Sequence, residues 1–466
     1  MSDHQPQHGA SRAAGRNVLL KLRFWLAPII IALALLSGFA MLYFGGILNP
    51  TTNLRHFPIA IVNQDTGQTG KTITDRLLTN MDKNQFDLRV LSADEARHQL
   101  DTGKVYAQVL LPQDLTQRLL ALPQATLQPG QAAKPVITIL TNPRASAMGA
   151  AIAENAMDRE MATVNAKASA KLTPVLLQQN GGATPPGGAS LVLASPIDIQ
   201  TVADNPLPSG TGAGLSAFYF SLMLLIGGVT AAIVVSMTTD ALLGYVPAEF
   251  GPWYRLASEV KVSRLQTLLV EWALVVLLGL SSSAVYLWIA SALGMPVPHP
   301  WSVWLFGVFV VTAVGITSTS LIAALGSLGT LISLFVFLFF GLPSTGATIP
   351  LEATPRFFGW LAGFEPMRQA FLGSRALLYF DGRADAGLSR ALMVGVIGLA
   401  IGLVFGAVVS WFYDRKGIHR IEAPPEPATE PATEPAAPPA PAAAGSSAGN
   451  GSKDQAAERV SAGPES

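Results

Sequence analysis

The sequence predicts an α-helical polytopic membrane protein of six transmembrane helices, with a large α/β extracytoplasmic domain inserted after the first helix. Three observations carry this reading. An apolar run over residues 25–48 is followed by a polar stretch over residues 49–212, and five more apolar runs crowd between Phe218 and Tyr413. About 18 or more apolar residues suffice for a helix to cross the hydrocarbon core. Apolar residues make up 50% of the chain and charged residues only 13%, against about 25% charged in a typical soluble protein. Basic clusters also recur at alternate ends of the runs, as a fixed membrane orientation requires.

The elements follow in order. Residues 1–24 form a cytoplasmic N-terminal segment in which Arg12, Arg16, Lys21 and Arg23 precede the first run. That run is longer than the 7–15 residues of a secretory apolar core and ends in Tyr43, Phe44, Ile47 and Leu48 rather than at small residues; it reads as an uncleaved anchor. The spans are placed at 25–48, 215–237, 267–293, 303–324, 326–342 and 391–413, with Gly326-Ser327-Leu328-Gly329 as a tight hairpin between the fourth and fifth. Arg255, Lys261 and Arg264, and then Arg415, Lys416 and Arg420, fall on the same side as the N-terminal cluster if both termini are cytoplasmic. Arg356, Arg368, Arg375 and Arg383 run against this count and would lie outside. The tail, residues 416–466, carries a Pro-Ala-Thr-Glu repeat over 427–434 and almost no large apolar residues. It cannot bury a core, so a disordered cytoplasmic tail is expected.

In residues 49–212 short apolar strands alternate with amphipathic helices, the pattern of an α/β domain with a largely parallel sheet. Strands are expected at Phe57–Val62, Phe86–Leu91, Val105–Leu111 and Pro135–Leu140, and helices at Thr69–Met81, after Ser92, and at Gln113–Leu122. Ser92 with Glu95 three residues on has the spacing of a capping box. A long helix over Ala145–Leu172 carries one stripe of Ile152, Met157, Met161, Val164, Ala168 and Leu172. Such a stripe faces the core of its own domain or serves as a stalk or dimer seam. Gly181–Gly188 reads as a loop and Leu191–Val202 as an extended return toward the membrane.

Several function classes are excluded by composition. A formal net charge of zero gives no field to attract nucleic acid. With no cysteine there are no disulfides, thiolate metal sites or cysteine nucleophiles. The histidines, His4, His8, His56, His98, His299 and His419, lack metal-ligand spacing. No catalytic constellation, metal site or cofactor is expected, and the chain is not read as an enzyme. Gly67-Gln68-Thr69-Gly70-Lys71-Thr72 is near a phosphate loop, but the glycine required five positions before Gly70 is Asp65. A turn entering a helix is the simpler reading.

Glu271 is the acidic residue set well inside a predicted span. A carboxylate there costs about 2.5–3.5 kcal/mol on the insertion scale for aspartate, which makes it a candidate for a transport path. It also lies seven residues beyond Arg264 on roughly the same helical face, so hydrogen bonds near the interface are the competing explanation. Ser282, within Ser281–Ser283, and Thr317, within Thr317–Ser320, are further path candidates. Small hydroxyl residues equally permit close helix packing. Residues 342–371 are interrupted by Pro343, Pro350, Pro355 and Pro366 and carry Phe357, Phe358, Trp360 and Phe364, which suits a re-entrant or interfacial element. Glu249–Arg264 combines Pro252, Trp253, Tyr254 and Leu256 with Arg255, Glu259, Lys261 and Arg264, the composition of a short amphipathic interfacial helix.

Phe57–Gly67 directly after a first span resembles the opening of the YhgE/Pip and DUF3533 proteins. So do Phe86-Asp87-Leu88 with Ala93–Ala96, Gly103–Ala107, Leu111–Leu115 and the re-entry segment Gly210–Tyr219. The half that carries Pro343-Ser344-Thr345-Gly346-Ala347-Thr348-Ile349-Pro350 is similar to ABC-2 type permeases. The resemblance covers about residues 25–415 and implies a multi-pass permease of a bacterial plasma membrane, with both termini cytoplasmic. It would work as a homodimer or heterodimer among membrane lipids, exporting a lipophilic or envelope-related compound with a separate ABC ATPase subunit. It adds Ser344 and Thr345 to the path candidates and makes Trp253, Arg255, Lys261 and Arg264 candidates for coupling to the ATPase. A surface receptor or secretion scaffold that transports nothing is the other reading the family admits.

Overall fold

The computed structural model describes residues 22–127, 133–181, 183, 187–258 and 260–418. Arg12, Arg16, Lys21, Glu259, His419, Arg420 and the repeat over 427–434 lie outside the described residues.

The first helix, α1, spans Leu22–Ile47. The α/β domain then runs β1 (Phe57–Asn63), α2 (Gln68–Asn80), β2 (Phe86–Val90), α3 (Ala93–Asp101), β3 (Ala107–Leu111), α4 (Leu115–Ala125), β4 (Val136–Thr141), α5 (Ala147–Gln179), α6 (Gly187–Ala194) and β5 (Asp198–Ala203). The strands form one sheet in the order β2-β1-β3-β4-β5. Three of its pairings are parallel, and β3 meets β4 antiparallel with Ala107 opposite Thr141. Alternation along β1 sends Phe57, Ile59 and Ile61 to a core beneath α2, α4 and α5, and Ala60 and Val62 to a second core with Ala96 and Leu100 of α3.

The stripe on α5 faces the first core, where Met157 and Met161 are fully buried. This helix runs past the expected Leu172, because Leu172 and Leu176 are buried on either side of Pro174 and packing overrides the proline. The segment expected to return extended begins instead as α6, which buries Ala189 and Leu193 one helical turn apart; only β5 is strand. At Ser92 half of the capping box forms. The Ser92 hydroxyl accepts from Glu95 N at 3.2 Å, while the Glu95 carboxylate accepts from Gln99 instead.

Among the described residues five helices are long and apolar enough to cross a membrane: α7 (Ser216–Leu242), α8 (Arg264–Ala292), α9 (Pro300–Leu325), α10 (Ser327–Ser344) and, after α11 (Arg356–Leu361) and α12 (Pro366–Tyr379), α13 (Leu388–Arg415). The chain is a multi-pass membrane protein. α9 sits centrally against α7, α8 and α13. Close approach explains its neighbours: a Cβ on Gly402 or Gly406 of α13 would overlap the Thr317 or Ser320 hydroxyl of α9. α1 packs on α10, with the Phe39 ring stacked on Phe339 at 3.9 Å.

Between α7 and α8 the expected amphipathic helix is absent. Ala248–Phe250 (β6) and Trp253–Arg255 (β7) form an antiparallel hairpin, with Phe250 opposite Trp253. Gly251, at φ 60°, and Pro252 occupy the two-residue turn. Glycine at the first turn position and a proline that cannot donate favour the hairpin and break a helix.

Candidate functional site

The α/β domain is locked to the domain-proximal end of the helical bundle through residues far apart in sequence. Tyr106 leads into β3; its ring stacks on Phe57 at 4.5 Å. A Cβ on Gly149 of α5 would overlap that ring, so the close approach requires glycine. The Tyr106 hydroxyl donates to Glu352 Oε2 at 2.9 Å. Burial and the Glu352 charge push this phenol well above its ordinary pKa, which keeps it a donor. Arg55 N donates to Glu352 O at 2.7 Å, and its guanidinium to Thr354 O at 2.6 Å. Ile349 and Ala353 of the same loop enter the core of the α/β domain.

A second contact runs through α12. Arg375 is buried, donates through Nη1 to Ala145 O at 2.8 Å, and lies against the rings of Phe371 and Phe380. Arg144 donates to Tyr379 O at 3.0 Å, and the Tyr379 hydroxyl meets Ser216 Oγ at 2.7 Å and accepts from Ala217 N at the start of α7. Arg383 pairs with Asp101 at 3.6 Å. Arg375 and Arg383, which run against the orientation count, are thus spent on docking the α/β domain. Arg368 donates to Thr345 O, and Glu365 caps α12 by accepting from Arg368 N at 2.7 Å. None of this junction was assembled from the sequence; the irregular arginines were its one visible trace.

The residues expected to form a path do not converge. Glu271 is 1% exposed, and neither carboxylate oxygen has a hydrogen-bond partner among the described residues, although Ser236 of α7 lies beside it. Arg264 does not hold it: the guanidinium donates to Ile418 O at 2.9 Å and stacks on Tyr413. Ser282, eleven residues further along α8, lies about 16 Å away by helical rise, and its buried hydroxyl also lacks a partner. Thr317 donates to Ala313 O at 2.8 Å. Ser344 and Thr345 sit at the other end of the bundle from Glu271, and their hydroxyls donate to Phe340 O and Leu342 O at 2.7 and 2.9 Å.

Of the coupling candidates, Trp253, Arg255 and Lys261 are exposed on the hairpin and the strand-free segment after it. Arg264 is not free. Its backbone N and that of Leu265 donate to the Asp414 carboxylate at 2.8 and 3.0 Å, so α13 caps α8.

The near-phosphate loop is occupied from within. Asp65 accepts from Gly70 N at 2.8 Å, Thr116 N at 3.0 Å and Thr116 Oγ1 at 2.5 Å. Its carboxylate fills the place an anion would take at this helix start. Burial raises the Asp65 pKa, but these hydrogen bonds outweigh it and leave the group below its ordinary 3.8. Their stabilisation is therefore present above pH 3.8 and is lost as pH falls through the lower folded value. At neutral pH, Asp65→Asn should lower hydrogen-exchange protection of the Gly70 and Thr116 amides by about tenfold, about 1.4 kcal/mol. The wild type should lose the same protection only in acid, and equal protection in both proteins at neutral pH would refute the assignment.

Neither a curated protein nor a solved structure matches the chain significantly. One family model, described as "Protein of unknown function (DUF3533)", matches residues 27–402. The match runs from within α1 through the α/β domain and the docking loop to about the middle of α13, and the chain therefore belongs to the DUF3533 family.

Proposed function

We propose that this chain is the permease subunit of an ABC-2-like exporter in a bacterial plasma membrane. In this reading α1 is a sixth span, both termini are cytoplasmic, the α/β domain lies outside, and the cargo is a lipophilic or envelope-related compound. A separate ABC ATPase supplies the energy, and the chain works as a homodimer or heterodimer. The observation that carries the reading is the hairpin after α7, at the end of the bundle remote from the α/β domain. Trp253 is 77% exposed, Tyr254 66% and Leu256 61%, beside exposed Arg255 and Lys261. Exposed aromatic side chains mixed with arginine are the composition of interface anchors. The segments that join the hairpin to α7 and α8 are held together by Tyr245, three residues after α7, whose hydroxyl donates to Val260 O and Val262 O just before α8. A push there reaches both helices.

The test reverses charge at the hairpin. In the Arg255→Glu/Lys261→Glu variant, co-purification of an ABC ATPase and cellular efflux should both fall at least about tenfold, the equivalent of about 1.4 kcal/mol. Surface levels of the chain should hold. If association and efflux survive, coupling through this hairpin fails. The receptor or secretion-scaffold reading then stands.

A further inference from the structure

A cleft of about 340 Å³ opens on the side of the bundle between α9 and α13, closed at its back by Phe337 of α10 and Gln369 of α12. Phe364, Ile397 and Ile401 line it and are also exposed on the lateral surface, so the opening faces the surroundings of the spans. The lining is almost wholly apolar; its polar members are Thr317 and Gln369. The Thr317 hydroxyl is spent on Ala313 O, but Gln369, 3% exposed, leaves Oε1 without a partner while Nε2 donates to Ala362 O at 3.1 Å. At the domain-proximal mouth stands Arg390. It donates to Gly363 O at 3.1 Å, is exposed, and has no carboxylate partner among the described residues. Arg390, Val394, Ile397 and Ile401 step by four, three and four residues and so share one face of α13. Beside the mouth, Phe357, Trp360 and Phe364 form an exposed series, the first pair of rings tilted at 6.2 Å and the second edge-on at 5.0 Å. Such aromatics mark headgroup depth.

A long apolar slot within the membrane, a cation at its mouth and an aromatic row at the same level match one occupant in shape and charge. At about 340 Å³ the cleft is within the range of small-ligand sites, which begin at about 300 Å³. We propose that the cleft seats one acyl chain of an anionic phospholipid from the leaflet nearest the α/β domain, with its phosphate on Arg390. Gln369 Oε1 then accepts from a hydroxyl of the glycerol or headgroup region, or from water that the lipid retains. This site stands whether or not the chain exports anything.

The full chain is reconstituted in phosphatidylcholine nanodiscs doped with phosphatidylglycerol carrying a diazirine in one acyl chain, or with the matching phosphatidylcholine probe. Adducts are mapped by peptide mass spectrometry. They should concentrate on Phe309–Thr317 and Val394–Ile401. A Cβ on Gly398 meets nothing within 4 Å, so a Gly398→Phe side chain can leave the helix here, and its ring should fill the cleft and lower these adducts about tenfold for both probes. Arg390→Gln should lower the phosphatidylglycerol adduct about fivefold and leave the phosphatidylcholine adduct near its starting level. Ile401→Trp is the second filling variant, and unchanged unfolding temperatures confirm that each variant remains folded. Adducts spread evenly over the lipid-facing helices, or insensitive to both filling variants, would mean general annular contact only and overturn the site. An inter-chain disulfide formed by an Ile397→Cys variant, in a chain with no other cysteine, would assign the cleft to a second copy and overturn it equally.

Discussion

Gly329→Ala is expected to unseat α10. One residue, Gly326, separates α9 from α10, with φ 60° and ψ −135°. The reversal closes through Gly326 N to Ile322 O at 2.7 Å and Gly329 N to Gly326 O at 2.9 Å. A Cβ on Gly329 would overlap the Leu321 carbonyl and stand 2.7 Å from Ile322 N. These are backbone atoms, so no rotamer change relieves the clash. The two spans would have to splay, at a cost of about 3 kcal/mol or more. In mild detergent the variant should unfold about 6 °C or more below the wild type, or lose monodispersity. Gly398→Ala, which adds the same methyl to open space, is the control and should be silent. A Gly329→Ala chain that unfolds with the wild type would show that the reversal is looser than drawn.

Local pattern carries part of this architecture and distance hides the rest. The apolar runs became α1, α7–α10 and α13 because long apolar periodicity is a property of consecutive residues. The strands at Phe57 and Phe86 were legible for the same reason, the first as a short apolar run and the second through alternation, each bounded by turn residues. At Gly251-Pro252 the aromatic and basic composition points to an amphipathic helix, but the turn chemistry of that dipeptide prevails and gives a hairpin. The close approach of Gly402 and Gly406 on α13 to the Thr317 and Ser320 hydroxyls joins residues too far apart for any local pattern to report. The junction is the extreme case. Tyr106 meets Glu352 across 246 residues and Arg55 meets Thr354 across 299, separations that no periodicity reports. What the sequence did betray was arginines that run against the orientation count, and two of them, Arg375 and Arg383, lie on the docking surface.

That surface makes Arg375 the position where one truncation should separate the two halves of the molecule. Its guanidinium lies 5.6 and 5.4 Å from the centroids of Phe371 and Phe380 while donating to Ala145 O. The Gly103 turn, at φ 67°, presses on the same pair, since a Cβ there would stand 3.0 Å from Phe380 Cζ and 3.5 Å from Arg375 Nη2. Arg375→Ala removes the packed stem and both ring contacts and leaves the Ala145 carbonyl unpaired in a buried site. Lost packing and an orphaned acceptor together amount to about 3–4 kcal/mol. The effect should be local: hydrogen-exchange protection should drop over 145–150 and 371–380 and hold in β1 and β2. Arg375→Lys should fall between, because an ammonium keeps the charge but cannot lie flat between two rings while reaching the carbonyl. Protection at 145–150 that survives Arg375→Ala would place the docking energy in the Tyr106–Glu352 contact and the buried loop instead. Protection lost through β1 as well would mean that the α/β domain cannot hold its fold once released from the bundle.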